Sequence, residues 1–185
     1  KQIILEACDH PVVCGHELSS KLGLYERTIT AVLNAKLLPV INELIRSVRN
    51  VLQDVHINAP MMVVKGDGSL MSETMARVRP VDTILSGPSA SLIGGRFLTD
   101  LENAIVVDIG GTTTDIGVLK QGRPRLDSEG AMIGGWRTRV RAADISTTGI
   151  GGDSRIVVRD GVIHLSPRRV IPLCVASSNM PGFLK

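Results

Sequence analysis

Aromatic side chains are almost missing from this 185-residue chain: they make up 2% of it, as one tryptophan, one tyrosine and two phenylalanines. The core must therefore be aliphatic, and recognition of single-stranded nucleic acid by base stacking is disfavoured. Cysteine is also scarce. Three thiols do not make a disulfide framework, so a reducing cytoplasm is the default location. No apolar stretch approaches the roughly 18 residues of a membrane span, and no signal peptide is visible. The net charge of +3 is slight and indicates neither nucleic-acid nor membrane binding. There is no internal repeat and no low-complexity tract.

Hydrophobic residues at 43% and charged residues at 21% are ordinary for a globular protein. The length suits one domain, or one domain with an appendage. Residues 1–58 read as a helical segment. Ile41, Leu44, Ile45, Val48, Leu52 and Val55 recur at helical spacing. Pro39 interrupts the pattern, so one kinked helix and two helices are both open. Residues 59–185 read as alternating strands and shorter helices. A buried strand is expected at Met61–Val64, followed by a turn at Lys65–Gly68. Ser72 is placed to cap a short helix, Val81–Leu85 is strand-like, and a helix should run from Ser86 to about Leu98. Asp160-Gly161 between Ile156–Val158 and Val162–His164 signals a hairpin with a type I′ turn.

The most informative run is Asp108-Ile-Gly-Gly-Thr-Thr-Thr-Asp115, set between the apolar segments Ala104–Val107 and Ile116–Leu119. It reads as strand, tight turn, strand. Gly110 and Gly111 let the backbone approach a phosphate and take positive φ. Successive N–H groups can form an anion nest, with hydroxyls from Thr112, Thr113 and Thr114. Asp108 and Asp115 would act on the phosphate through Mg²⁺, which prefers one or two carboxylates and keeps several waters. The bland alternative is a plain hairpin with glycine in its turn. The spacing of both carboxylates around the glycines favours the nucleotide reading. No Gly-Lys-Ser/Thr follows, so this is not a Walker loop.

Two other glycine-rich stretches stand beside it. Ser86-Gly87-Pro88-Ser89 opens a helix whose free N–H groups suit an anion, although capping and close packing explain it as well. Thr147 to Ser154, with Gly151 and Gly152, either borders a nucleotide or forms a simple turn. Arg137, Arg139 and Arg141 alternate and would share one face of a strand, for an anion or for solvent; Arg168-Arg169 is similarly open. Cys8, His10, Cys14 and His16 suggest zinc half-sites, but four ligands within nine residues fold awkwardly around one ion, and buried thiols with surface histidines are the preferred reading. Cys174 is isolated, with no base nearby in sequence.

Several stretches taken in order resemble the hydantoinase/oxoprolinase family, specifically the central domain of its hydantoinase A type subunit. They are Gly15-His-Glu17, Glu26-Arg27-Thr28, Thr30 to Ala35 leading to Pro39, Gly66-Asp-Gly68, Ser86 to Ser91, Val107 to Asp115, Ile133-Gly-Gly135 and Gly151-Gly152-Asp153-Ser154. The last departs from the Gly-Gly-Gly-Ser of many members. The resemblance implies an α/β fold: an RNase H-like lobe of the actin-like ATPase superfamily, with a mixed sheet flanked by helices. It implies ATP and Mg²⁺ bound between two lobes. Asp108–Asp115 would be the second lobe's hairpin, and the first lobe would precede Lys1, which fits the look of a piece of a longer polypeptide. The implied activity is ATP-dependent opening of a cyclic amide such as hydantoin or 5-oxoproline, often with a second subunit. A ketone carboxylase, a kinase of the same superfamily and a partner-remodelling ATPase are the alternatives. The nominated residues are Asp108 and Asp115 for chemistry and metal, and Gly110, Gly111, Thr112, Thr113, Ser86, Gly87, Gly151 and Gly152 for the nucleotide.

Overall fold

A computed structural model describes residues 1–8, 10–179 and 182. The side chains of Pro167, Leu173 and Cys174 lie outside that description, and the reading of Cys174 with them. In chain order the elements are α1 (Gln2–Ala7), α2 (Gly15–Leu18), α3 (Leu24–Asp54), β1 (Met62–Val64), β2 (Leu70–Ser72), α4 (Glu73–Val78), a 3-10 turn at Pro80–Thr83 and α5 (Ser86–Thr99). Then come β3 (Ala104–Ile109), β4 (Thr114–Lys120), β5 (Arg123–Pro124), β6 (Met132–Ile133), β7 (Trp136–Arg137), β8 (Ile145–Thr148), β9 (Ser154–Arg159), β10 (Val162–Arg169) and α6 (Leu173–Asn179).

Helix α3 runs unbroken through Pro39. Proline removes only one backbone donor, and the helix can bend around it. By length and composition α3 is long and apolar enough to cross a membrane, with an 18-residue stretch of mean hydropathy 1.3. This corrects the expectation that no apolar stretch approaches a membrane span: Asn34, Lys36 and Asn42 interrupt the run without lowering its mean hydropathy below that of a spanning helix. One stripe of α3, namely Thr30, Asn34, Leu38, Ile41 and Ile45, is buried. Leu44, Val48 and Val55, expected on the packed face, are exposed: Leu44 lies beside the stripe that buries Ile41 and Ile45, and Val48 and Val55 lie beyond its last buried residue. Asn34 is fully buried. Its amide donates to the Val78 carbonyl at 3.1 Å, and its oxygen accepts from the Val81 N–H at 3.1 Å. It thereby satisfies two backbone groups of the segment leading to α5.

Other expectations changed at their ends. Val81 begins no strand: Pro80 fixes φ and starts the 3-10 turn. Strand β1 is only half-buried. Ser72 caps α4 as expected, its hydroxyl accepting from the Met75 N–H at 3.2 Å. Asp160 and Gly161 both take positive φ, as a type I′ turn between β9 and β10 requires.

The main sheet places β4 at its centre. β3 pairs along one edge of β4, while β8 and then β5 pair along the other. Every pairing among the described residues is antiparallel, which corrects the expected mixed sheet. The physical reason is local: no crossover helix returns a strand to this sheet in the direction it left. α5 covers one face, packing Leu92 against Leu119 and Ala143, with Ala104, Val106 and Ile145 around them. Each buried Leu side chain contributes about 1.5–3 kcal/mol relative to exposure. The opposite face, with Ile105, Val107, Ile109 and Ile116, is exposed, so among the described residues a helix flanks the sheet on one side only.

Candidate functional site

The β3–β4 register sets the site. Ala104 pairs with Leu119, Val106 with Gly117 and Asp108 with Asp115. Directly opposed residues point to the same face, so both carboxylates lie on the side covered by α5, at its open end. Two like charges so placed repel. Each receives one hydroxyl: Ser91 of α5 donates to Asp108 at 2.5 Å, and Thr147 of β8 donates to Asp115 at 2.5 Å. A divalent cation between the two would relieve the repulsion and use the remaining oxygens.

The turn that joins the strands is bare on one side. The Gly110 N–H donates to the Thr113 carbonyl at 2.9 Å and closes the turn. The N–H groups of Gly111, Thr112 and Thr113, and the hydroxyls of Thr112 and Thr113, have no partner among the described residues. A Cβ added at Gly111 would meet nothing within 4 Å. Neither Gly110 nor Gly111 takes positive φ, which corrects that part of the expectation. Gly111 is therefore demanded neither by the fold's packing nor by a left-handed turn, and the space above it is open to a ligand. These unpaired donors beside two carboxylates suit a metal-bound phosphate.

The other two glycine-rich stretches reach the same end of the molecule by different routes. On α5, Gly95 packs on Val106 and Ser91 bonds Asp108. Gly87 is one turn earlier on α5, about 6 Å along the axis. Gly87 has open space at its Cβ position. Leu85, in the left-handed conformation, precedes Ser86, and no side chain caps the helix. The Ser86 and Gly87 N–H groups are thus left for solvent or an anion.

Gly151 and Gly152 do something different. The Gly152 N–H donates to the Gly110 carbonyl and the Asp153 N–H to the Gly111 carbonyl, both at 2.9 Å. A Cβ at Gly151 would collide with the backbone of Gly110 and Gly111. These glycines staple the second turn beneath the first and use the Gly152 donor in doing so. Thr114 strengthens the staple, donating to the Ile150 carbonyl at 2.7 Å. Asp153, at the position of departure from the family pattern, pairs with Arg169 at 2.7 Å, and Arg169 also reaches the Thr112 carbonyl at 3.4 Å. Sequence reading missed the roles of Ser91, Thr147 and Arg169. The signal for the first two was present, since a small hydroxyl on an apolar helix or strand face often serves a neighbouring polar group.

The remaining candidates separate from this site. Arg137 pairs with Asp127 at 3.0 Å and Arg139 with Glu26 at 3.6 Å, so two of the three alternating arginines hold the fold together. No group of three or more metal-ligating side chains occurs among the described residues. Cys8 is exposed and Cys14 half-buried, which corrects the expectation of buried thiols. The Cys14 N–H instead donates to Glu17 at 2.9 Å, capping α2. That bond, with the Lys1 ammonium, holds the Glu17 carboxyl below the usual range.

Comparison with known proteins identifies the family. Residues 27–170 match the Hydantoinase/oxoprolinase family. The alpha subunit of caprolactamase from Pseudomonas jessenii is 30% identical, over 85% of this chain and 23% of its own length. The acetophenone carboxylase gamma subunit of Aromatoleum aromaticum is 28% identical, over 93% of this chain and 23% of its own. The crystal structure of the ATP-dependent caprolactamase from Pseudomonas jessenii superposes with a TM-score of 0.74 at 30% identity, covering 91% of this chain and 25% of that one. The chain thus spans about a quarter of the length of these relatives. Its sequence match and its mixed helix-and-strand architecture together place the chain in the hydantoinase/oxoprolinase family.

Proposed function

We propose that this chain is the phosphate-binding part of an ATP-dependent hydrolase that opens cyclic amides, in a lobe of the RNase H-like, actin-like class. The observation that carries the reading is the run of unpaired N–H groups at Gly111–Thr113 beside the opposed Asp108 and Asp115. In it Gly111, Thr112 and Thr113 hold the phosphates, with Gly110 closing the turn, Ser86 and Gly87 lending a helix N-terminus, and Gly151 and Gly152 fixing the turn from below. Asp108 and Asp115 orient Mg²⁺ or water, and Ser91 and Thr147 hold the two carboxylates in place. A ring amide is a poor electrophile, and ATP supplies the phosphoryl group that turns its carbonyl oxygen into a leaving group. The residues' share is positioning and charge neutralisation. The other wall of the cleft would come from a first lobe in the same polypeptide, and the acceptor site from there or from a second subunit. The caprolactamase likeness supports the amide reading.

A panel of cyclic amides and ketones, offered with Mg-ATP to the full-length protein, tests this. Phosphate release coupled to a ring-opened product is the expected result. Carboxylation of a ketone, or phosphoryl transfer to a stable hydroxyl, would replace the amide reading. The 185-residue chain alone is expected to fold without turning over ATP.

A further inference from the structure

A second cluster of charge lies away from the hairpin. Residues of α2, the segment after it, the Lys65 turn, the 3-10 turn and the extended segment after β7 that carries Arg139 and Arg141 line a half-open cleft of about 390 Å³. Five of its side chains are cationic: Lys21, Lys65, Arg79, Arg139 and Arg141. Three have evident structural work. Arg79 pairs with Asp82 at 3.0 Å and donates to the Glu17 and Leu18 carbonyls at 2.6 and 3.0 Å. Arg139 pairs with Glu26 and donates to the Leu22 carbonyl at 3.0 Å. Lys65 pairs with Asp67 at 3.3 Å.

These cross-links join parts of the chain far apart in sequence, so the walls are fixed before any ligand arrives. Two cations are left over. The Lys21 ammonium donates only to the Ser128 carbonyl, at 2.7 Å, and Arg141 has no hydrogen bond or ion pair among the described residues. The lining carboxylates cannot neutralise them, because Glu17 is held by Lys1 and Asp82 by Arg79. In addition, the Nε of Arg139 is buried without an acceptor.

We infer that this cleft binds a small oxyanion, a phosphate or carboxylate group seated between Arg141 and Lys21, as a site separate from the hairpin. Guanidinium forks accept both groups alike, so inorganic phosphate and succinate are the two probes. The experiment is amide NMR of the protein titrated with each. Saturable shifts are expected around Lys21, Lys65 and Arg141 with at least one probe, and the probe that binds identifies the source. Arg141→Gln should weaken those shifts about tenfold or more, Lys21→Gln should weaken them less, and Arg141→Lys should retain part of the affinity. Phosphate shifts at Gly111–Thr113 should survive all three changes, which keeps this test apart from the hairpin reading. The inference is overturned if neither probe shifts the cleft amides, or if folded Arg141→Gln binds as the wild type does.

Discussion

Replacing Gly151 by Ala should loosen the turn that carries the candidate site, although it adds a single methyl group. Gly151 does not take positive φ, so alanine meets no backbone strain there. In an open position the change would even stabilise by about 0.4–1 kcal/mol through the unfolded chain. Here the Cβ runs into the carbonyls of Gly110 and Gly111. Those are backbone atoms and cannot swing aside, so the two turns must separate. The bonds from Gly152 to Gly110 and from Asp153 to Gly111, both 2.9 Å, are then weakened or lost. At about 0.5–1.5 kcal/mol each, the loss is about 1–3 kcal/mol and outweighs the entropic gain. For a chain of this size that lowers Tm by roughly 2–12 °C. Thermal unfolding followed by circular dichroism measures it, with Gly149→Ala as the control, since a Cβ at Gly149 meets nothing within 4 Å. The reasoning is refuted if the two variants melt at the same temperature.

Other outcomes follow from the same contacts. Asn34→Ala should cost about 2–4 kcal/mol, because a buried donor at Val81 and an acceptor at Val78 both lose their partner; urea unfolding with an unchanged m-value would register it. Asp67→Ala should destabilise at neutral pH by about 1 kcal/mol. Burial raises the Asp67 pKa, but bonds from Ser69 and the Lys65 ammonium outweigh it and depress the carboxyl below its ordinary range. The stabilisation is therefore fully present above the unfolded value of about 3.9, and it fades as pH falls through the lower folded value. Melting curves of both proteins should converge in acid, and a gap that stays constant would count against the assignment.

The hairpin was legible in the sequence because its signals are local. Apolar strands, two glycines and flanking carboxylates fix strand, turn and register between Ala104 and Leu119. The opposed placement of Asp108 and Asp115 follows from that register. The type I′ turn at Asp160-Gly161 and the Ser72 cap were legible for the same reason. What stayed hidden depends on distant partners. Nothing near Gly151 reveals that it lies against Gly110 and Gly111, and nothing near Ser91 announces Asp108. The strand expected at Val81 failed because a short apolar run cannot tell strand from turn, and Pro80 together with Asn34 decided it. The exposed end of α3 and the bare outer face of the sheet carry apolar patterns that the described residues do not bury.

The central claim is that Asp108 and the Gly110–Thr113 turn hold metal-bound phosphate. Isothermal titration of Mg-ATP into the full-length protein and its Asp108→Asn variant tests it most directly. The substitution keeps the shape and leaves an oxygen for Ser91, so the melting temperature should change little. It removes one of the two carboxylates offered to the metal, and affinity should fall about tenfold or more. Equal affinity in the folded variant would contradict the account.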